Sequence, residues 1–367
     1  MKQVPRALAH LVPALEELRR ADRLRTRSEP PGGVSFCSND YLGLAQTAAP
    51  QATSGAGASR LIAGERYEHG RLEQRLSEWL GVEQTLLFSS GYAANVGVIQ
   101  ALVSREDLVV SDALNHASII DGLRMVRPRV VVVPHLDVTA VDAALGDAPA
   151  TLGRRWVITE SYFSMDADSP DLGALRRVCD AHGAGLVVDE AHALGVLGPR
   201  GLGLCAESGV APDVLVGTLG KAFGAAGAFV AGCRPLVDWL WNRARSHVFS
   251  TGMSPVVAAA AYANVERAIA DPSLRERAIR TATTFRQALR DARLDVRGHG
   301  PIVPWILGTE TDALRVAATL RERGVHAVAI RPPTVPEGTS RIRFAFTARH
   351  SDEDVQRAIA AVLDSFT

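Results

Sequence analysis

From residue 84 onward the chain repeats one pattern, in which a short apolar run is followed by a stretch with apolar residues at helical spacing. The runs are Gln84–Phe88, Asp107–Ser111, Val130–Pro134, Trp156–Thr159, Gly185–Val188 and Val214–Thr218. Continuous Val, Leu and Ile over this length suits strands covered on both faces. Their alternation with helices predicts a largely parallel sheet of the α/β class. In such open sheets ligands bind beyond the carboxyl ends of the strands. The residues that follow each run are therefore where chemistry is expected.

The flanks of this region differ from it. Leu11 to Arg27 reads as an amphipathic helix rich in arginine, and Glu29-Pro30-Pro31-Gly32-Gly33 breaks it. Arg19, Arg20, Arg23, Arg25 and Arg27 have their ordinary reading as a solvated helix face. Ser54 to Ser59 is a small-residue loop, and Arg71 to Leu80 is helical with Leu72, Leu76, Trp79 and Leu80 on one face. From Pro255 an Ala-rich helical region runs to Arg293. Shorter strand candidates follow at Ile302–Leu307, Ala327–Ile330 and Arg341–Phe346. A chain of 367 residues, 47% of them hydrophobic, is too long for one core of ordinary size. The expected division is an N-terminal helical segment over 1–50, a large domain over 51–254 and a smaller α+β domain over 255–367.

Charge excludes some partners. The formal net charge is zero, so no broad electrostatic footprint for nucleic acid or an anionic membrane is present. No apolar run approaches the length a membrane helix needs, and the N-terminus lacks a signal-peptide pattern. The expectation is a cytoplasmic protein. Cys37, Cys179, Cys205 and Cys233 are widely spaced, with no partner at metal spacing, so neither a metal site nor a disulfide framework is expected. Cys179 and Cys233 sit among apolar residues and read as core packing.

Four segments at the ends of the apolar runs carry polar groups. Ser89-Ser90-Gly91-Tyr92 opens a helix, and small residues there leave backbone N–H groups that can hold a phosphate. Asn115-His116-Ala117-Ser118 offers a histidine that could pack in the core, cap a helix or present a flat face to a ring. Asp189-Glu190-Ala191-His192 offers an acid that could cap the next helix or serve a metal, a triad or a ring nitrogen. Thr218-Leu219-Gly220-Lys221 is not a phosphate-binding P-loop, because the first glycine is missing and Ala222 follows the lysine. Each is ambiguous alone, and Lys221 alone reads as a surface lysine. In order they are a phosphate loop, a stacking face, an acid and an amine. A pyridoxal-phosphate site needs those four, with the amine as the Schiff-base residue and the acid protonating the ring nitrogen.

These segments, with Ser38-Asn39-Asp40-Tyr41-Leu42-Gly43-Leu44, Gly57-Ala58-Ser59-Arg60-Leu61, Glu160, Phe163-Ser164-Met165-Asp166 and Phe249-Ser250-Thr251, resemble the α-oxoamine synthases. That family is a subgroup of the fold-type I pyridoxal-phosphate enzymes, and the similarity covers nearly the whole chain. It implies a large domain with a mostly parallel sheet flanked by helices, a smaller C-terminal α+β domain, and a homodimer with active sites at the subunit interface. It implies that Lys221 carries the cofactor and removes the substrate Cα proton, that Asp189 pairs with the pyridine nitrogen, that His192 approaches the phenolic oxygen and that His116 stacks on the ring. Gly91 and Tyr92 belong to the phosphate and ring loop, and Ser164 and Thr218 hydrogen-bond the cofactor. Ser250 and Thr251 reach the phosphate in the neighbouring subunit. Asn39 and Arg343 bind the amino-acid carboxylate, and Arg25 and Thr334 hold the acyl substrate, which takes Arg25 out of the solvated-face reading. Within the family, Arg331-Pro332-Pro333-Thr334-Val335-Pro336 resembles the branch that joins L-alanine to a pimeloyl thioester, on CoA or a carrier protein, in biotin synthesis. The chain departs from the family pattern in a shortened Ala45–Gly55 stretch, in Tyr92 and Leu219 where Phe is common, and in Ser161-Tyr162 where small residues often stand.

Overall fold

A computed structural model describes residues 4–25, 32–149 and 151–366. Arg27 and most of the expected Glu29–Gly33 breaker fall outside them. The chain divides into two compact units. Residues 39–280 with 347–349 form the larger, and the described parts of 1–38, 281–346 and 350–367 form the smaller.

The larger unit is built on seven strands, β1 (Gln84–Phe88), β2 (Leu108–Asp112), β3 (Arg129–Val133), β4 (Arg155–Glu160), β5 (Gly185–Asp189), β6 (Val214–Thr218) and β7 (Ala228–Gly232). Their order across the sheet is β1-β7-β6-β5-β4-β2-β3. The pairs from β6 to β3 are parallel, and β7 alone runs antiparallel to both its neighbours. Six of the seven strands coincide with the apolar runs to within a residue or two. β7 does not stand out in the sequence, because Gly227-Ala228 and Ala231-Gly232 dilute its short apolar pattern. The expectation of cover on both faces fails at β3. As an edge strand it leaves Val130 39% and Val132 64% exposed.

Val109, Ile158, Val187, Val214, Val216 and Val230 from the strands pack with Val98, Ile99, Ile119 and Leu123 from helices in one core. The helices α1 (Gly91–Leu102) and α2 (Ala117–Val126) supply the last four. The composition change at Pro255 marks a helix of this unit, Pro255–Ala270, which packs against the helix Tyr67–Leu80. A second helix, Ser273–Asp291, follows after a break at Asp271-Pro272, because proline cannot continue a helix from within. Cys179 is buried as expected. Cys233 is exposed, at the N-cap of the helix Arg234–Arg243, where the chain has already left the sheet.

The smaller unit has an antiparallel sheet of β8 (Ile302–Gly308), β9 (Val328–Ile330) and β10 (Ser340–Ala345), with β10 central. Val34-Ser35 pairs in parallel with Val325-His326. Phe36 explains why this N-terminal stretch belongs here. Its ring contacts Phe285, Phe344, Phe346 and His350 at centroid distances of 4.3–6.4 Å. Among the described residues no helix is long and apolar enough to cross a membrane.

The loops beyond the carboxyl ends of the large sheet are pinned by one histidine. His135, just after β3, places Nδ1 2.8 Å from Asp112 Oδ1 at the end of β2, and Nε2 3.2 Å from Asp168. Asp168 closes a turn through Phe163 N–H to Asp168 O (2.9 Å), and Phe163 meets the His135 ring edge-on. Burial opposes the charge on His135, but the hydrogen bonds it donates to Asp112 and Asp168 outweigh it and push the pKa up to about 10. A pKa raised on folding stabilises the protein fully below the unfolded value near 6.5, and that contribution is lost as pH rises through the folded value. His135→Gln should therefore lower stability at pH 7 by about 1–3 kcal/mol, allowing for solvent screening. Urea unfolding across pH should show the gap to wild type closing as pH approaches about 10. A gap that is constant with pH would contradict the charged clamp.

Candidate active site

β1 ends at Phe88, and α1 begins three residues later. Ser90 caps α1, its hydroxyl accepting from Ala93 N–H at 3.1 Å. The N–H groups of Gly91 and Tyr92 have no carbonyl within the helix to meet. A Cβ added at Gly91 would stand 4.0 Å from Thr218 Oγ1, so this helix start lies against the end of β6. Tyr92 is 46% exposed, and its hydroxyl donates to Asp121 Oδ2 at 2.6 Å.

Thr218 ends β6 and is buried. Its hydroxyl donates to Gly227 O and accepts from Gly220 N–H, both at 3.2 Å. The turn holding Lys221 is closed by Leu219 N–H to Gly227 O, Gly224 N–H to Lys221 O and Ala225 N–H to Leu219 O, each 2.9 Å. Leu219, Ala222 and Phe223 around it are buried. These contacts remove the surface-lysine reading. Lys221 is half-buried, and its charge acts on both His116 and Glu160.

Asp189 ends β5 and is 7% exposed. Oδ1 accepts from Ala191 N–H at 2.9 Å, and Oδ2 accepts from Asn95 Nδ2 at 2.7 Å. No helix follows Asp189 directly, so the capping reading does not apply. A hydrogen bond to a charged group contributes about 1.5–3 kcal/mol, so the Asn95 contact is a strong constraint on the carboxylate. Three residues on, His192 Nδ1 is 2.7 Å from the hydroxyl of buried Tyr41, which in turn reaches Asn39 Oδ1 at 3.4 Å. Asn39 is thereby joined to the histidine.

His116 caps α2, its Nδ1 accepting from Ser118 N–H at 3.2 Å. The loop before it is braced by Asn115, whose amide donates to Ser111 Oγ at 2.9 Å and Ile158 O at 2.7 Å. His116 stays accessible to solvent. Even so, the protein crowded around it lowers its pKa, with the Asp189 charge opposing and the Lys221 charge adding. Capping and site membership thus coexist in one residue.

Glu160 is a member that spacing alone does not reveal. It ends β4 opposite Asp189 in the strand register, 5% exposed. Burial first, and then the Asp189 charge, push its pKa up to about 8, while Lys221 and the His116 backbone N–H pull it down. Ser164 is half-buried in the turn that Asp168 closes. Ser250 and Thr251 line a small cavity with Ser89, Arg60 and His247 of the same chain.

The smaller unit holds the remaining expected residues. Arg25 Nη2 donates to Thr334 Oγ1 at 2.9 Å, so two positions 309 apart in sequence meet. Arg23 beside them pairs with Glu310 and Glu337 at 3.2 and 3.3 Å. Arg343 is buried in β10.

The larger unit fits pyridoxal phosphate. An ionised carboxylate has about four lone-pair positions. Two on Asp189 are taken by the bonds above, leaving capacity for a ring N–H. A half-buried amine and a helix start with free N–H groups stand at the same edge of the sheet.

The model of the family "Aminotransferase class I and II" matches residues 31–362. The 8-amino-7-oxononanoate synthase of Anaeromyxobacter sp. (strain K) is 49% identical over 341 residues, covering 90% of this chain and 85% of that protein. The Sphingomonas wittichii serine palmitoyltransferase superposes with a TM-score of 0.90 at 27% identity, covering 99% of this chain and 98% of that one. A high-resolution structure of SPT with PLP internal aldimine superposes with the same score at 25% identity, again over 99% and 98%. The chain therefore belongs to the aminotransferase class I and II family of pyridoxal-phosphate enzymes and, within it, to the 8-amino-7-oxononanoate synthases.

Proposed function

We propose that this chain joins L-alanine to a pimeloyl thioester, carried on CoA or a carrier protein. Carbon dioxide and the free thiol leave, and 8-amino-7-oxononanoate is formed for biotin synthesis. The observation that carries this reading is the meeting of Lys221, Asp189 and His116 at one edge of the sheet, in a chain 49% identical to an enzyme of that name.

Bound pyridoxal phosphate would supply an electron sink for negative charge at the alanine Cα. The chain's own residues do the rest. The start of α1 at Gly91 and Tyr92 binds the phosphate through backbone N–H groups. Asp189 keeps a proton on the pyridine nitrogen, held in place by Asn95. His116 faces the ring, Ser164 and Thr218 hydrogen-bond the cofactor, and His192, braced by Tyr41, approaches the phenolic oxygen. Lys221 Nζ, in its amine form, takes the Cα proton and returns one after carbon dioxide leaves. Asn39 and Arg343 bind the alanine carboxylate. Arg25 and Thr334, already hydrogen-bonded to each other, hold the acyl group. We assign the enzyme to the cytoplasm as a homodimer, with Ser250 and Thr251 reaching the phosphate in the second copy.

The test is product identification. The holoenzyme is incubated with pimeloyl-CoA and, separately, alanine, glycine or serine, and products are read by mass spectrometry. Alanine should give 8-amino-7-oxononanoate as the main product. A preference for glycine or serine would assign the chain to a sister acyltransferase. Lys221→Ala should lower kcat by about 10³-fold or more, the range expected for losing a positioned base. Arg25→Ala should raise KM for the thioester by about tenfold and change kcat little, as loss of uniform binding does. An unchanged KM would remove Arg25 from the acyl site.

A further inference from the structure

Asn95 on α1 and Ser118 on α2 are buried, at 3% and 0% exposure; Asn95 acts in the chemistry above only as a brace for Asp189, and Ser118 has no role in it. Asn95 Nδ2 lies 2.7 Å from Asp189 Oδ2 and 2.9 Å from Ser118 Oγ. An ionised carboxylate only accepts, so the amide group facing it must be the NH2. Its two hydrogens then go one to Asp189 and one to Ser118. With its oxygen accepting from Asn95, Ser118 has one hydrogen left, and the next atom in reach is His116 Nδ1 at 2.7 Å. The Ser118 backbone N–H also points at Nδ1, at 3.2 Å. A ring N–H cannot accept either bond. Nδ1 must carry its lone pair, and the proton of the neutral imidazole must sit on Nε2.

We infer that Asn95 and Ser118 are positioning residues. Together they tie the Asp189 carboxylate to His116 and fix that histidine as the Nε2–H tautomer. His116 then presents a hydrogen-bond donor, not a base, to the site, a group suited to a carbonyl or carboxylate oxygen of the substrate. Proton removal is left to Lys221. The carboxylate orients the Asn95 amide, and the direction at His116 is set by the Ser118 backbone N–H, which can only donate to Nδ1. What Asp189 and His116 act upon rests on the pyridoxal-phosphate reading. The tautomer does not.

The test is a long-range nitrogen–proton correlation spectrum of the full-length protein with 15N-labelled histidine, with His116→Gln to assign the signal. Wild type at pH 7 should show His116 as the Nε2–H tautomer. Ser118→Ala, which deletes the hydroxyl without adding volume, should show a mixture with the Nδ1–H form. A wild-type Nδ1–H or doubly protonated signal would overturn the inference, as would a Ser118→Ala signal identical to wild type. In the holoenzyme, Asn95→Leu should weaken retention of pyridoxal phosphate by about tenfold or more, the cost of one charge-assisted hydrogen bond. Wild-type retention by a folded Asn95→Leu protein would contradict the coupling to Asp189. Failure of wild type itself to bind pyridoxal phosphate would count against the proposed function, and the tautomer measurement would still decide the inference.

Discussion

Two carboxyl groups end adjacent parallel strands, and the site depends on how differently their surroundings treat them. Glu160 and Asp189 are opposite each other in the register of β4 and β5. A neighbouring like charge disfavours ionisation of a buried carboxyl. Asp189 receives two hydrogen bonds that favour a carboxylate, from Asn95 and the Ala191 N–H. Glu160 is pushed up to about 8 and holds its proton at neutral pH. The two similar residues thus stand in different surroundings. Asp189 faces α1 through Asn95. Glu160 accepts the backbone N–H of His116.

The architecture accounts for how these groups meet. Parallel strands deliver their carboxyl ends to one edge, so loops distant in sequence become neighbours. Keeping those loops still takes separate devices. Asp112 and Asp168 grip His135. Buried apolar residues and three backbone hydrogen bonds hold the turn around Lys221. Asn115 braces the approach to His116. Each device lies a residue or more away from the group it steadies.

Legibility in the sequence followed the range of the interaction. Six strands of the large sheet are readable because a buried strand needs an unbroken apolar run. β7 is not, because small residues suffice where a strand is hemmed in by two neighbours. That Lys221, Asp189, His116 and the start of α1 stand at or just beyond strand ends is readable from the apolar runs. Asn95, Ser118, Tyr41 and Glu160 as partners are not, since Asn95 and Asp189 are 94 positions apart. In the sequence, Arg25 and Thr334 are linked only by the shared acyl-binding role the family resemblance implies, and no spacing rule could have placed them in contact. A further signal lies in the residue counts. Of 40 basic residues only Lys2 and Lys221 are lysines. A lysine retained amid arginines argues for chemistry that a guanidinium, which does not give up its proton, cannot perform.

That scarcity makes the central claim, that Lys221 carries pyridoxal phosphate, directly measurable. The holoenzyme is reduced with borohydride, digested and mapped by mass spectrometry. The account predicts a phosphopyridoxyl group on the peptide containing Lys221 at close to one per chain, with loss of the visible absorption band. Label on Lys2, or no covalent label at all, would contradict it.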